Sequence, residues 1–508
     1  MKISGSEIFN HVNQPEIQLT NSRKISANLV QSVGLETDMM RSVRQMVDKV
    51  EITAIQKMRA DYNTVIVDGG DGDNTFNVSD IKNSSIKSGK GDDTFNLSNV
   101  HSSVINGGDG DNVFNASDIH SSSLRGGDGN DTFNISSGHS SVVRGGDGEN
   151  NFSSSNTQSS VFLGGNDNDT FSLKNLRSSS VNGGEGDNTY TASNMESSVF
   201  IGGNGSDTFA LSKLDSVVVK GGNGENTYTG SNFEYSSFKG GEDVDIYNLS
   251  KVYGSVIDGG NGNNTYNISN TKSTVFKGGN DVDTYTLSDT SYSILRSGDG
   301  NDIINAINTN SSTFEVGSGD DTVHLTNVSE TSVKADEGDD TVIIENAANT
   351  SIYGGAGNDY LSLSGSNTSI DGGAGDDTII GSGMITGGTG NDYITLVSAL
   401  RNGSEIQTSN MVRYAKGDGH DILNAGSQNF VMDMRSMSRD DVEITNSFNE
   451  ETGMNETIIN MKDGSGSLTV ISDPNKDALN GTSTFLFSEN IRATGNGTQD
   501  ILLTKLAM

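Results

Sequence analysis

Aromatic residues recur along this chain at intervals of 19 residues, from position 76 to position 285. Each lies in a short stretch where apolar and polar residues alternate, which is typical of a β-strand with one buried face. No insertion or deletion interrupts the series, which is Phe76, Phe95, Phe114, Phe133, Phe152, Phe171, Tyr190, Phe209, Tyr228, Tyr247, Tyr266 and Tyr285. The pattern predicts one strand per repeat with its aromatic side chain pointing inward.

A second apolar column follows ten residues after the first and also never becomes polar. Its members are Ile86, Ile105, Leu124, Val143, Phe162, Val181, Phe200, Val219, Phe238, Ile257, Phe276 and Leu295. Two inward positions half a repeat apart predict two short strands per coil. Stacking such coils buries both columns as continuous ladders. The predicted fold is all-β, a right-handed parallel β-roll or β-solenoid of about 18 coils.

The spacing of the repeats divides the chain into four predicted regions: 1–62, 63–296, 297–400 and 401–508. The second holds the regular 19-residue repeats, and the third holds less regular repeats with the same glycine loop. The fourth carries longer alternating runs, which predict a small C-terminal β domain with a possible role in secretion. In the first, apolar residues at helical spacing after a possible N-cap predict an amphipathic capping helix: Thr37, Met39, Val43, Met46, Val47 and Val50.

Between the strands lies a loop of the form Gly-Gly-x-Gly-x-Asp or Asn, first seen at residues 69–74. Glycine permits left-handed backbone angles that turn carbonyl oxygens toward one point, and the following carboxylate adds a charged oxygen. Oxygen ligands of this kind favour Ca²⁺. The predicted metal-binding residues are Asp93, Asp131, Asp169, Asp207, Asp245, Asp283, Asp302, Asp321, Asp340, Asp359, Asp377, Asp392 and Asp421.

The loops resemble the calcium-binding motif of the repeats-in-toxin (RTX) family, and residues 354–359 and 372–377 match it in full. This resemblance implies a parallel β-roll in which calcium lies between successive loops, held by the aspartate and by backbone carbonyls. It also implies a secreted bacterial protein, exported unfolded by a type I system through an uncleaved C-terminal signal. The segment after the repeats resembles the β domain that often follows them in this family.

Two features depart from the RTX pattern. Each coil has one glycine loop, which alternates with a serine-rich half-turn, so calcium is expected along one edge only.

The sixth loop position also alternates, with asparagine in every second repeat: Asn74, Asn112, Asn150, Asn188, Asn226 and Asn264. A core position of the first strand alternates in the same way, with a larger residue in the aspartate coils and mostly a smaller one in the asparagine coils. The repeating unit is therefore two coils, or 38 residues. Duplication of a two-coil ancestor explains this, and so does selection for fewer or weaker calcium sites. The tightest sites are expected from residue 302 onward.

Composition narrows the possible partners. The 508 residues carry a net charge of −35, which argues against nucleic acid and anionic membranes and favours divalent cations. No apolar run is long enough for a membrane span, and residues 1–19 lack the features of a signal peptide. The absence of cysteine removes disulfides and thiolate chemistry.

Outward positions form a flat, uncharged face of Thr, Asn and Ser, with a threonine column that includes Thr132, Thr170 and Thr208. The face is explained by β-propensity and solubility, or by docking of ice, a glycan, a cell surface or another copy of the chain. His101, His120 and His139 share another column, which indicates a variable surface position or a transition-metal site.

No nucleophile–base pair and no phosphate loop is recognisable, so an enzyme is not predicted. The leading hypothesis is a secreted structural or adhesive module that folds on binding calcium. An ice-binding protein is the second, because the 19-residue spacing is similar to that of the ice-binding segment of a giant marine bacterial adhesin. A polysaccharide-acting β-helix enzyme is the third. The glycine-rich, cysteine-free composition also resembles harpin-type proteins, which leaves type III export open.

Overall fold

A computed structural model describes residues 65–401, 404–406, 410–474, 484–488, 491–496 and 499–505, together with four short strands between residues 16 and 53. The chain divides into two units, residues 1–248 and 249–508. Both are parallel β-solenoids, with about 19 turns in all, close to the predicted number. Each coil supplies one strand to a long-strand sheet, which carries the aromatic column, and one to a short-strand sheet, which carries the second apolar column.

In the first unit, strands of each sheet pair in parallel with the equivalent strands of neighbouring coils, as in the pairs around residues 94–147. The long strands are Thr75–Lys82, Thr94–His101, Val113–His120, Thr132–His139, Asn151–Gln158, Thr170–Arg177, Thr189–Glu196, Thr208–Asp215 and Thr227–Glu234. The short strands are Val65–Asp68, Ser85–Lys87, Val104–Asp109, Ser123–Asp128, Val142–Asp147, Val161–Gly165, Ser180–Glu185, Val199–Asn204, Val218–Asn223 and Ser237–Gly241. Strand Ile246–Tyr253 contains the boundary between the units.

The second unit repeats this arrangement, but the spacing of its loop aspartates changes toward the end, from 19 residues to 18, 15 and finally 29. Its long strands are Thr265–Lys272, Thr284–Ser291, Ile303–Asn310, Thr322–Ser329, Thr341–Ala348, Tyr360–Ser366, Thr378–Gly381, Tyr393–Leu396 and His420–Gly426. Its short strands are Val256–Gly260, Val275–Gly279, Ile294–Asp299, Thr313–Ser318, Ser332–Glu337, Ser351–Ala356, Ser369–Ala374, Met384–Thr389, Asn410–Arg413 and Phe430–Met434.

The aromatic column forms the stacked ladder predicted from its spacing. Phe95 pairs with Phe114, and Phe114 pairs with Phe133, each in the neighbouring coil. The rings of Phe95 and Phe114 lie 4.7 Å apart, nearly parallel, and both are fully buried. This distance equals the spacing of adjacent strands, so parallel pairing in register imposes the stacking.

The 38-residue alternation has a basis in packing. In three coils of the first unit a small residue of the long strand, as at Ala192, accompanies phenylalanine in the short strand, here Phe200. Its ring meets that of Tyr190 edge to face, 6.2 Å between centroids. The flanking coils carry Leu173 and Leu211 beside Ala192, with valine in register with Phe200. A large residue in one sheet thus accompanies a smaller one in the other.

The predicted N-terminal helix is wrong for residues 41–44. Arg41–Arg44 is a strand that pairs in parallel with Val65–Asp68, and Glu51–Thr53 is a strand that pairs with the start of Thr75–Lys82. Pairing with the first regular coil therefore outweighs the local helical spacing. The other residues of the predicted helix lie outside the described residues. Strands Glu16–Gln18 and Ile25–Ser26 also belong to this region.

After residue 434 the parallel coils give way to antiparallel pairs. Val442–Asn449, Met454–Met461 and Ser467–Ser472 form an antiparallel group, whose last strand also pairs in parallel with His420–Gly426. Thr484–Phe487, Ile491–Asn496 and Gln499–Lys505 form another. A hairpin of Ala399–Arg401 and Ser404–Ile406 and a 3-10 helix at Arg439–Asp441 complete the described elements. The part of the chain that the structure describes has no helix long and apolar enough to cross a membrane.

Candidate metal centre: the aspartate loops

The glycine loops join each short strand to the following long strand, and residues 126–131 show how they are built. Gly127 and Gly129 have φ angles of 136° and 121°, which side-chain-bearing residues rarely adopt. A Cβ on Gly126 would collide with the carboxylate of Asp131 and lie 2.7 Å from the carbonyl oxygen of Gly145. The first glycine therefore leaves room for the aspartate, which turns inward against the loop backbone.

Asp131 is fully buried, and its two carboxylate oxygens have different surroundings. Oδ1 accepts a hydrogen bond from the backbone N–H of Asn112, one coil earlier, at 2.9 Å. Oδ2 is buried and has no hydrogen-bond partner among the described residues. The same holds for Oδ2 of Asp93, Asp169, Asp207, Asp283, Asp302, Asp321, Asp340, Asp359, Asp377 and Asp392. Oδ2 of Asp245 differs, because it accepts the backbone N–H of Gly241 at 3.0 Å. Buried polar atoms are normally satisfied, so a column of unsatisfied carboxylate oxygens indicates a missing counter-charge or proton.

Burial raises the pKa of Asp131 to about 7, against the opposing effect of the Asn112 N–H. The pKa of Asp340 also rises to about 7 through burial, and the carboxylates of Asp359 and Asp320 add to the rise. Burial raises the pKa of Asp302 to about 6, against the opposing effect of the Asp283 N–H. The carboxylates of the loops are therefore poorly stabilised as anions by the protein alone.

In the second unit the aspartate loops are consecutive. The backbone N–H of Asp321 donates to Oδ1 of Asp340 at 2.8 Å, and the N–H of Asp340 donates to Oδ1 of Asp359 at 2.9 Å. The same bond links later loops as far as Asp421, whose pKa burial raises to about 8. Every loop in this series places a buried carboxylate directly beside the next.

The asparagine loop at residues 145–150 has positive φ angles at Gly146 and Gly148, as the Asp131 loop has at its second and third glycines, but its bonding pattern differs. Oδ1 of Asn150 accepts the backbone N–H of Asp131 at 3.0 Å, as an aspartate would. Its Nδ2 donates to the carbonyl of Gly148 in its own loop at 2.8 Å. The amide therefore has partners for both its oxygen and its nitrogen.

The opposite edge of the coil contains a buried hydroxyl ladder that sequence reasoning missed. The N–H of Ser103 donates to Oγ of Ser122 at 3.1 Å, and that hydroxyl donates to the carbonyl of His120 at 2.8 Å. The ladder consists of Ser84, Ser103, Ser122, Ser141, Ser160, Ser179 and Ser198 in the first unit. The 19-residue recurrence of these serines could have revealed it. The backbone N–H groups of the first six of these serines and the buried hydroxyls of all seven therefore find hydrogen-bond partners within the protein.

The predicted outer face and histidine column are present as columns. Asn96 donates its amide to Asn77, and Asn115 donates to Asn96, both at 2.9 Å, so this part of the face is an internal amide ladder. The rings of His101 and His120 stack with centroids 4.6 Å apart. Burial and the charge of His120 lower the pKa of His101, which disfavours two neighbouring imidazolium ions.

Within the described residues, no group of three or more His, Asp or Glu side chains is arranged to hold a metal ion. A loop cation would therefore take one side-chain oxygen and draw its other ligands from backbone carbonyls. Calcium accepts such a set, because it binds six to eight oxygens in flexible geometry and uses carbonyls readily. The unsatisfied Oδ2 atoms and the glycine cradle beside them fit this requirement.

Fold and loops together define a parallel β-solenoid repeat protein with one aspartate or asparagine loop per regular coil. No family profile matches the chain, and no curated protein matches it.

Proposed function

We propose that this protein is a calcium-binding β-roll of the RTX type, which completes its folding when calcium occupies the aspartate loops. The observation that carries the proposal is the column of buried Oδ2 atoms without partners, represented by Asp340 and Asp359. Such a column needs either protons or cations. A protein with a net charge of −35 attracts divalent cations strongly.

Electrostatics favours calcium over an ion-free solenoid at neutral pH. Carboxylates repeated at the strand spacing of about 4.8 Å repel by roughly 3 kcal/mol per neighbouring pair at an effective dielectric constant of about 20. Asp321, Asp340 and Asp359 form such a series. A cation that binds only the folded loops removes this repulsion and stabilises the solenoid by mass action.

The proposed setting is extracellular. Extracellular calcium-binding modules commonly have dissociation constants near 10⁻⁴–10⁻³ M, a range in which cytosolic calcium would leave the loops unloaded. The chain would then stay unfolded during export, by a type I or type III route, and fold outside a bacterial cell. In that setting we propose a structural or adhesive role rather than a catalytic one, with a glycan, a cell surface or another copy of the chain as the partner.

The proposal is tested on the full chain by far-UV circular dichroism and equilibrium dialysis. With a chelator at pH 7.5 we expect a largely unfolded spectrum, and with millimolar calcium a β spectrum and protease resistance. Magnesium is the matched control, because its small size and preference for octahedral geometry suit carbonyl-rich loops poorly. A chelated protein that is already β-rich and protease-resistant, and that binds no calcium in dialysis, would overturn the proposal.

A second candidate, ice binding, is favoured by one observation. In the first unit the outward threonines lie in register from coil to coil, with Thr170 beside Thr189 and Thr189 beside Thr208. Successive hydroxyl and methyl groups are thus repeated at the strand spacing on the outer side of the long-strand sheet. Such regularity suits a crystalline ligand better than a single soluble molecule.

A further inference from the structure

The asparagine loops of the first unit all use the side-chain amide in one way. Nδ2 of Asn112 donates to the carbonyl of Gly110 at 2.9 Å, and Nδ2 of Asn188 donates to the carbonyl of Gly186 at 2.9 Å. The other asparagine loops of this unit have the same bond, at 2.6 Å in Asn74, 2.8 Å in Asn150 and 2.9 Å in Asn226. Each amide nitrogen thus brings a partial positive charge to the carbonyl of the fourth loop residue.

This amide nitrogen occupies the place of the unsatisfied aspartate oxygen. Both side chains use Oδ1 to accept the backbone N–H of the preceding coil: Asn112 from Asp93 at 3.1 Å, and Asp131 from Asn112 at 2.9 Å. A Cβ on the first glycine of the loop would lie 2.6 Å from Nδ2 of Asn112 in one case and collide with Oδ2 of Asp131 in the other. The side chains therefore enter their loops in the same orientation.

The chemical difference between the two loops is decisive. An amide nitrogen donates to a carbonyl, whereas an ionised carboxylate oxygen in its place can only accept. The aspartate loop therefore brings acceptors together and needs an added positive charge, while the asparagine loop is already satisfied. A cation entering an asparagine loop would have to break the bond from Nδ2 to the glycine carbonyl.

We propose that the asparagine amide takes the place of the cation in its loop, so that calcium sites in the first unit occur only at every second coil. This inference rests on the proposed function and specifies which loops of that function are loaded. The first unit then has four calcium loops, at Asp93, Asp131, Asp169 and Asp207, rather than one in every coil. The loop of Asp245 differs, because its Oδ2 already accepts the backbone N–H of Gly241 at 3.0 Å. Its sites are separated by about two strand spacings, close to 10 Å, which is the Debye length at 0.1 M salt.

The test counts calcium bound per chain by equilibrium dialysis at saturating calcium, with folding checked by circular dichroism. The triple variant Asn112→Asp, Asn150→Asp, Asn188→Asp should bind about three more ions than wild type. The reciprocal variant Asp131→Asn, Asp169→Asn, Asp207→Asn should bind about three fewer and should still fold. A control with Asp118→Asn, an exposed position at the opposite edge, should bind the same number as wild type.

The outcomes separate this inference from the proposed function. If wild type binds no calcium, the proposed function fails. If wild type binds calcium but both triple variants bind the same number as wild type, asparagine loops hold calcium too and the alternation is wrong. Should the first variant not fold, the second decides alone, because an unchanged calcium number in it contradicts the proposal and a loss of about three supports it.

Discussion

Oδ1 of Asp131 accepts the backbone N–H of Asn112 at 2.9 Å, and this bond fixes the carboxylate with its other oxygen buried. Ionising this carboxylate places negative charge on a buried oxygen that has no hydrogen-bond donor. The fold therefore couples its stability to whatever neutralises the loops, either a proton or a cation.

The first prediction concerns pH in the absence of calcium. The pKa of Asp131, Asp169 and Asp207 rises from 3.8 in a free side chain to about 7 in the fold, chiefly through burial. The folded state therefore binds protons more tightly than the unfolded state. The stability due to these groups is fully present below pH 3.8 and is lost as pH rises through about 7.

We expect chelated protein to show more β signal or a higher melting temperature at pH 5.5 than at pH 8. Saturating calcium should remove this fall, because the cation stabilises the ionised carboxylates. Thermal unfolding followed by circular dichroism measures both curves. A chelated protein whose stability increased across this range would contradict the prediction.

The second prediction concerns the consecutive aspartates of the second unit. Changing Asp340, Asp359 and Asp377 to Ala should raise the calcium concentration at half-folding and lower the number of ions bound, because each change removes an inward carboxylate. The control neutralises three exposed carboxylates away from the loops: Asp289→Asn, Glu330→Gln and Glu345→Gln. An equal shift in both variants would show that net charge, not loop ligation, determines the calcium dependence.

The third prediction concerns the alternating core. Ala192→Leu adds volume to a buried position in a coil that already holds the buried Phe200, and it should destabilise the solenoid by about 1–3 kcal/mol. Phe200→Val alone leaves a cavity and should also destabilise. The double variant reproduces the core of the neighbouring coils and should lose less than the sum of the two single changes. Urea unfolding at saturating calcium measures the free energy of unfolding of wild type, both single variants and the double variant. If the loss in the double variant equals the sum of the two single losses, residues 192 and 200 do not compensate for each other.

The fourth prediction concerns the hydroxyl ladder. Ser122→Ala leaves the buried N–H of Ser103 without its acceptor and should cost about 1–3 kcal/mol. Ser122→Thr keeps the hydroxyl and should cost less, since Thr274 donates to the carbonyl of Lys272 at the same position in the second unit. Urea unfolding at saturating calcium compares the two variants. Equal stability of the Ala and Thr variants would show that the hydroxyl is dispensable.

The fifth prediction tests the threonine face. If it binds ice, calcium-loaded protein should shape ice crystals and show thermal hysteresis. Changing Thr132, Thr170 and Thr208 to Lys should abolish both effects without unfolding, because these side chains point outward. A folded wild-type protein without hysteresis at high concentration would exclude this candidate.

The solenoid was predictable because a parallel, in-register repeat places each residue beside its own equivalent, as with Phe95 and Phe114. Strict 19-residue spacing therefore reports on tertiary contacts as well as on local structure. The helical spacing around Val43 led to a wrong prediction, because it carries no information on tertiary contacts. It describes only local preference, whereas Val43 pairs with Val67 in a strand ladder.

The candidate site was predictable in its residues but not in its bonding. The column of loop aspartates is visible in the sequence, yet the separate surroundings of the two oxygens of Asp131 depend on the fold. The pairing of Ala192 with Phe200 was missed because it links two columns that were read separately. Ser122 was likewise read as part of a polar half-turn rather than as a buried acceptor.

The repeating unit of two coils, 38 residues long, also affects how the gene can change in length. Deleting residues 150–187 joins Glu149 to Asn188 and leaves every ladder of the first unit continuous and the loop alternation intact. Deleting 19 residues instead, 150–168, brings the loops of Asp131 and Asp169 side by side and adds a carboxylate repulsion. We therefore expect unequal recombination between repeats of the first unit to be tolerated better in steps of 38 residues than in steps of 19.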